Sequence, residues 1–379
     1  MAYYKHILAM PTTTGLTIPF NGLRKQYHNL RQEILDATDE VMRSGQLMNG
    51  NHTAEFEHWL AKKNGVRYAV TCHSGTQALE IIAAYFFKQC SYPHDPTVLI
   101  PSMTYVATAN AFARAGWSVH FIDTDFYGIF NYNKIPSLVD YQAVCLVGLY
   151  GHELAHYGGV KAWHDWTRKD VAVIEDAAQH WLSADCARIG QASAVSFDPT
   201  KNLAANGNGG AVLTDDFEIA DFARSWRDNG KYNDYQDPAS NSRMSELDCA
   251  HLQIKAQHLD TWQQRRAQIA EFWIDKCKDS GIRCLIDESN IHSHALHKFV
   301  IDIDNRDTVK LQLFAHKIET RVHYERPLHE LPGWLSTAQG PGMLSAASAL
   351  SRRVLSLPFY PELTDLEVEY IIEQVLACV

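Results

Sequence analysis

Short apolar runs alternate with amphipathic stretches over the first two-thirds of the chain. YAVTC (68–72), TVLIP (97–101), WSVHFID (117–123), AVCLVGLYG (143–151), VAVIED (171–176), AVSF (194–197) and GAVLT (210–214) read as strands. The run at 143–151 is apolar almost throughout, as in a sheet covered on both faces. Helical spacing fills the gaps. TAEFEHWLAKKNG (53–65) groups Phe56, Trp59 and Leu60, with Thr53 as a cap and Gly65 as a stop. From Gly75, GTQALEIIAAYFFKQ puts Leu79, Ile82, Ala83, Phe86 and Phe87 on one face. YVATANAFARAG (105–116) ends at a glycine, and FEIADFARSWRDNG ends at Gly230. This alternation predicts a doubly wound α/β layer of about seven strands.

The pattern changes after Ser245. Leu247, His251, Ile254, Leu259, Trp262 and Ile269 recur at helical spacing as far as Ser280. Beyond lie a strand, KFVIDI (298–303), a helix near 307–317, and a last helix after Pro361-Glu362-Leu363-Thr364. The expected division is a large α/β domain with an N-terminal arm (1–250), then a helical connector and a small α+β domain (251–379). Two domains also suit the length of 379 residues.

A formal charge of −10 argues against nucleic acid, whose phosphates need a basic face. The eight cysteines form no C-x-x-C pair, so no zinc knuckle or redox motif is spelled out. Free thiols in apolar runs, no signal-peptide pattern and no run of membrane-spanning length make the cytoplasm the expected compartment, with no membrane partner.

HELAH (152–156) matches the zinc-protease pentad H-E-x-x-H, with His152 and His156 as ligands and Glu153 as base. Such a site needs a sustained helix, and glycines on both sides leave little room for one. A loop at a strand's carboxyl end is the expectation. The turn HSGTQAL (73–79) offers a glycine and a helix N-terminus, which together favour phosphate; a plain helix cap explains it as well. Asp176 closes an apolar strand at the edge where ligands of α/β sheets collect, or it caps a following helix. Lys201 sits between two apolar runs in SFDPTKNLAANGNGGAVLTDD (196–216), either as a solvated hairpin tip or as a nucleophile that stays uncharged or capped.

One cofactor uses all of these. Pyridoxal 5'-phosphate needs a phosphate cup, an aromatic over its ring, a carboxylate at its ring nitrogen and a lysine, and the chain supplies Gly75-Thr76, Tyr105, Asp176 and Lys201 in that order. Several blocks carry a resemblance to a known family: NGLRKQYHNLRQEILDATDEVMRSGQLMNGNHTAEFE, HSGTQALEI, PSMTYVATANAFARAG, VIEDAAQHWLS, the Lys201 block, NSRMSELDCAHLQIKAQHLDTWQQRR and RPLHELPG. In these the chain resembles the DegT/DnrJ/EryC1/StrS sugar aminotransferases, of the aspartate-aminotransferase fold (fold type I), over nearly its whole length.

The resemblance implies a mixed, mostly parallel seven-stranded sheet and a set of roles. Lys201 is the Schiff-base lysine, Asp176 pairs with the pyridine nitrogen, and Gln179 hydrogen-bonds the ring's phenolic oxygen. Gly75, Thr76 and Ser196 hold the phosphate, Tyr105 stacks on the ring, and Asn241 reaches the phosphate of a neighbouring subunit, making a homodimer. At 179–183 the chain reads QHWLS where many members read Gln-Ala-His-Gly-Ala, so Trp181 is expected to add bulk near the cofactor. The implied reaction moves an amino group from glutamate to a nucleotide-linked keto sugar. Arg243 and Arg326 are candidates for its diphosphate, and His329 for substrate contact. Dehydratases of the same family replace the lysine with histidine, which sets this chain apart from them.

Overall fold

The computed structural model describes residues 17–90, 95–135, 139–155, 170–286, 288–337 and 344–379. The chain enters through Ile18 and Phe20 and forms two helices, α1 (Leu23–Ser44) and α2 (Asn51–Asn64). A seven-stranded sheet follows: β1 (Tyr68–Cys72), β2 (Thr97–Pro101), β3 (Ser118–Ile122), β4 (Ala143–Val147), β5 (Ala172–Asp176), β6 (Ala192–Ser196) and β7 (Gly210–Thr214). Its spatial order is β1-β7-β6-β5-β4-β2-β3. Only β7 runs against its neighbours, pairing antiparallel with both β1 and β6.

Alternation along the strands sorts the two faces. Val70, Ile174 and Val212 point to α3 (Gly75–Gln89), α4 (Val106–Arg114) and α5 (Phe217–Arg227), where they meet Ile82, Phe112 and Ile219. Ala69, Ala211 and Leu213 point the other way, to Phe56 and Leu60 of α2 and to Leu252 and Leu259 of the long helix α6 (Glu246–Cys277). The sheet is thus buried on both sides, as its apolar strands require.

α6 continues past the sheet into a second core. Its later turns bring Ile269, Trp273 and Ile274 against a three-stranded antiparallel sheet ordered β10-β9-β8, made of β8 (Arg283–Cys284), β9 (Val300–Asp302) and β10 (Val354–Ser356). The helices α7 (Arg306–Ala315) and α9 (Asp365–Cys378) complete it, with α8 (Ser345–Ser351) before β10. Thr364 and Glu367 close α9 with a reciprocal capping box. Ile18 joins this second core, so the N-terminal segment ties the two ends of the chain together.

Several sequence expectations shift. Thr53 does not cap α2, which starts at Asn51. The Glu246 carboxylate, at the start of α6, accepts from Gly50 N (2.8 Å), His52 N (2.6 Å) and the Thr53 hydroxyl (2.5 Å). An acid from a distant helix therefore fills the cap's role. α5 stops at Arg227, three residues before Gly230, which adopts the left-handed conformation. Within KFVIDI only Val300–Asp302 pair as a strand.

Trp273 is fully buried, packs edge-on to Phe299 with centroids 5.0 Å apart, and donates its ring N–H to Val368 O at 3.0 Å. Trp273→Ala is expected to lower the unfolding free energy by about 3–5 kcal/mol, read as a fall in the denaturant midpoint. An unchanged midpoint would show that the second core does not depend on this ring.

Candidate active site

The carboxyl ends of the parallel strands open onto a cavity of about 350 Å³. β1 delivers the chain to the N-terminus of α3 at this edge. Ser74 caps that helix, its hydroxyl accepting from Gln77 N at 3.1 Å. Two glycines let three strands converge here. A Cβ on Gly75 would meet the Ser196 Cβ at 2.7 Å, and one on Gly210 would overlap the Ser74 carbonyl. Free backbone N–H groups and the helix dipole make this corner a cup for an anion. The Ser74 cap engages Gln77 N and leaves this corner open to the cavity.

Asp176, the last residue of β5, is 5% exposed. Its Oδ2 accepts from the Thr108 hydroxyl at 2.7 Å, and its Oδ1 accepts from Ala178 N at 3.2 Å. Thr108 in turn lies 3.1 Å from the Thr104 hydroxyl. A turn follows Asp176, not a helix, so a helix-capping role is ruled out by geometry. Gln179 is anchored from both ends: its Oε1 accepts from Tyr150 N at 2.8 Å, and its Nε2 donates to the Tyr324 hydroxyl at 3.2 Å. Tyr105, just ahead of α4, is 55% exposed and leans on the Tyr324 ring at 5.7 Å.

Lys201 reaches the same cavity from the loop between β6 and β7. The turn before it is built by Asp198, whose Oδ1 accepts from Thr200 N (2.9 Å) and the Thr200 hydroxyl (2.7 Å) around Pro199. Lys201 N then donates to Asp198 O at 2.8 Å. Its amine has no hydrogen-bond or ion-pair partner among the described residues. Burial pushes the amine below the usual lysine range, against the opposing pull of Asp176 and Asp198. A lysine so placed is not a solvated hairpin tip.

Gly75, Thr76, Tyr105, Asp176, Gln179, Ser196 and Lys201 thus border one cavity. The remaining candidates lie elsewhere in the chain. Asn241 is exposed and accepts from Arg243 Nη2 at 3.2 Å, while Arg243 pairs with Asp228 at 3.2 Å. Arg326 is exposed. Both ring nitrogens of His329 are engaged, with the hydroxyls of Ser102 and Ser348. Trp181 does not add bulk at the cavity: it is buried behind β6 against Trp59 and Phe197. Its apolar neighbours in α2 draw it into the core.

Among the described residues of the HELAH stretch, 152–155, there is no α-helix of the kind a zincin needs. His152 is extended and buried, stacked edge-on to His294 at 4.6 Å, and Glu153 accepts from the Ser293 hydroxyl. His156 lies outside the described residues. A buried Glu175-His180-Cys186 cluster has metal-like spacing, but Glu175 and His180 are already engaged with the chain. Glu175 accepts from Ala187 N, Ile189 N and Gly190 N, and His180 Nδ1 accepts from Gly148 N. Burial alone would raise the Glu175 acid; His180 and the N–H groups outweigh it and hold it below the carboxylate range.

Sequence reasoning missed Thr104, Thr108, Asp198, His323 and Tyr324, all but Thr108 bordering the cavity directly. Pro199 following Asp198 was a local signal for the turn that aims Lys201. Nothing local marks His323 and Tyr324, which the second core brings back across the chain.

An anion cup, a buried carboxylate and an unpartnered amine in one cavity fit pyridoxal phosphate, whose three reactive ends need those three groups. Comparison with known proteins agrees. Residues 28–376 match the DegT/DnrJ/EryC1/StrS aminotransferase family. The chain is 31% identical to a dTDP-3-amino-3,4,6-trideoxy-alpha-D-glucose transaminase of Streptomyces venezuelae, over 91% of this chain and 92% of that protein. It is 30% identical to a UDP-2-acetamido-2-deoxy-3-oxo-D-glucuronate aminotransferase of Pseudomonas aeruginosa, over 93% and 98%. S. venezuelae DesV superposes with a TM-score of 0.86 at 29% identity, covering 95% of this chain and 98% of that one. The ntda protein of Bacillus subtilis, which shares the fold at 23% identity with a TM-score of 0.84, is a structure with bound cofactor PMP. With its fold and nearly its full length in agreement, the chain belongs to the DegT/DnrJ/EryC1/StrS aminotransferase family.

Proposed function

We propose that this protein transfers an amino group from glutamate to a nucleotide-linked keto sugar, a 3- or 4-keto deoxysugar, using pyridoxal phosphate. The observation that carries the reading is the unpartnered Lys201 amine sharing a cavity with the Asp176 carboxylate. When bound, the cofactor supplies an aldehyde that the lysine can capture and a ring that absorbs negative charge.

The chain's own groups do the rest. Ser74, Gly75, Thr76 and Ser196 would hold the phosphate against the N-terminus of α3. Asp176, fixed by Thr108, would keep a proton on the ring nitrogen, because a nearby carboxylate favours the cationic form in a desolvated site. Gln179, fixed by Tyr150 N, would orient the ring, and Tyr105 would cover its face. Lys201, kept neutral more readily by burial, would act as base at the donor's α-carbon and return that proton to the cofactor's exocyclic carbon. For the second substrate the same amine runs these proton moves in reverse.

We assign Asn241 to the phosphate of a partner subunit, which makes the working unit a homodimer with sites at its interface, in the cytoplasm. Arg243 and Arg326, which do not line the cavity, are assigned to the acceptor's diphosphate at that interface. His329, held by two serines, is assigned to loop support. A dehydratase reading is disfavoured by the lysine itself at position 201.

Lys201→Ala is expected to abolish both the visible absorbance of the holoenzyme and amino transfer from glutamate to a panel of nucleotide keto sugars. Undiminished turnover would refute the assignment. Asp176→Asn is expected to bind cofactor yet turn over at least ~10²-fold more slowly. A near-normal rate would mean the ring nitrogen's partner lies elsewhere.

A further inference from the structure

A second lysine lies near Lys201 and is more deeply buried than it. Lys298, just before β9, is 7% exposed. Its ammonium donates to Thr200 O at 3.3 Å and lies 5.0 Å from the centroid of the Phe20 ring. The Arg321 guanidinium carbon lies 5.8 Å from the same centroid, as does the His323 ring. Phe20 therefore has two cations against it, and its own N–H goes to Glu319 at 3.0 Å.

Neither Lys298 nor Arg321 pairs with a carboxylate among the described residues. The charged groups that act most strongly on Lys298 are Lys201, Arg266, Asp198 and Arg321, three cations against one acid, and Asp198 Oδ1 is already committed to Thr200. His297 and His323 add no anion; burial and these same cations keep both from protonating, His323 at about 3. Burial first, then its cationic neighbours, push Lys298 itself down to about 7. A buried cation with most of its donors unused is costly until an anion arrives. Thr200 and His323, which adjoin this cluster, both border the cavity that holds Lys201.

We propose that Lys298 and Arg321, both placed against Phe20, form a subsite for one substrate carboxylate beside Thr200 and His323 at the edge of the cavity. This rests on the function proposed above and narrows it. One ammonium and one planar guanidinium suit a single carboxylate. The carboxylate comes either from the amino donor or from a uronic-acid acceptor.

The test uses holoenzyme of wild type, Lys298→Met and Lys298→Arg. The half-reaction with L-glutamate is followed by visible absorbance, and UDP-glucuronate and UDP-glucose are titrated by calorimetry. Lys298→Met should weaken at least one carboxylate probe by about tenfold or more, leave UDP-glucose within about twofold, and be largely rescued by arginine. Loss confined to glutamate assigns the carboxylate to the donor; loss confined to UDP-glucuronate assigns it to the acceptor. Arg321→Gln, at an exposed position, repeats the test where folding is not at risk. Variants matching wild type toward both carboxylates overturn the subsite, even if amino transfer is intact. A wild-type chain that takes up no cofactor overturns the proposed function instead, and UDP-glucuronate affinity unchanged by the variants then overturns the subsite as well.

Discussion

A carboxylate and an amine held in one desolvated cavity set the terms for the whole molecule. Each alone would cost free energy to bury, and each is kept only because the surrounding chain fixes it. Asp176 is held by a hydroxyl and a backbone N–H. Lys201 is aimed by the Asp198 turn and carries no internal partner among the described residues. The sheet's parallel strands bring both to the same edge, and the reversed strand β7 lets the loop carrying Lys201 return there.

The second core serves this edge as well as its own stability. α6 runs from the sheet into that core, and Ile18 returns the N-terminal segment to it. From there come Tyr324, which meets Gln179 and Tyr105, and Lys298, which meets Thr200. The cavity is therefore walled on one side by strand ends and on the other by the small sheet's neighbourhood. The glycine-lined helix N-terminus lies at this cavity, and Thr200 and His323 join it to the neighbourhood of Lys298.

The large sheet was legible in the sequence because its strands are short, apolar and punctuated by glycine. Each of its strands overlaps a run that alternation marks out, β6 starting two residues ahead of its run, and α3 spans the residues from Gly75 that periodicity assigns. α1 was not legible: over its length only Leu30, Ile34 and Val41 are buried, too sparse a stripe to stand out. β8 and β10 are two or three residues long and exist through pairing with β9, which no local pattern encodes. At the site, Lys201, Asp176 and the Gly75 turn announce themselves by chemistry at a strand's end. Thr108, His323 and Lys298 do not, because what makes them matter is a contact with a residue far away in sequence.

The most direct measurement is to reduce the cofactor-loaded protein with borohydride, digest it, and locate the modified residue by mass spectrometry. The account predicts a pyridoxyl group on the peptide carrying Lys201 and on no other. Modification at Lys298, or at no lysine of this cavity, would contradict it.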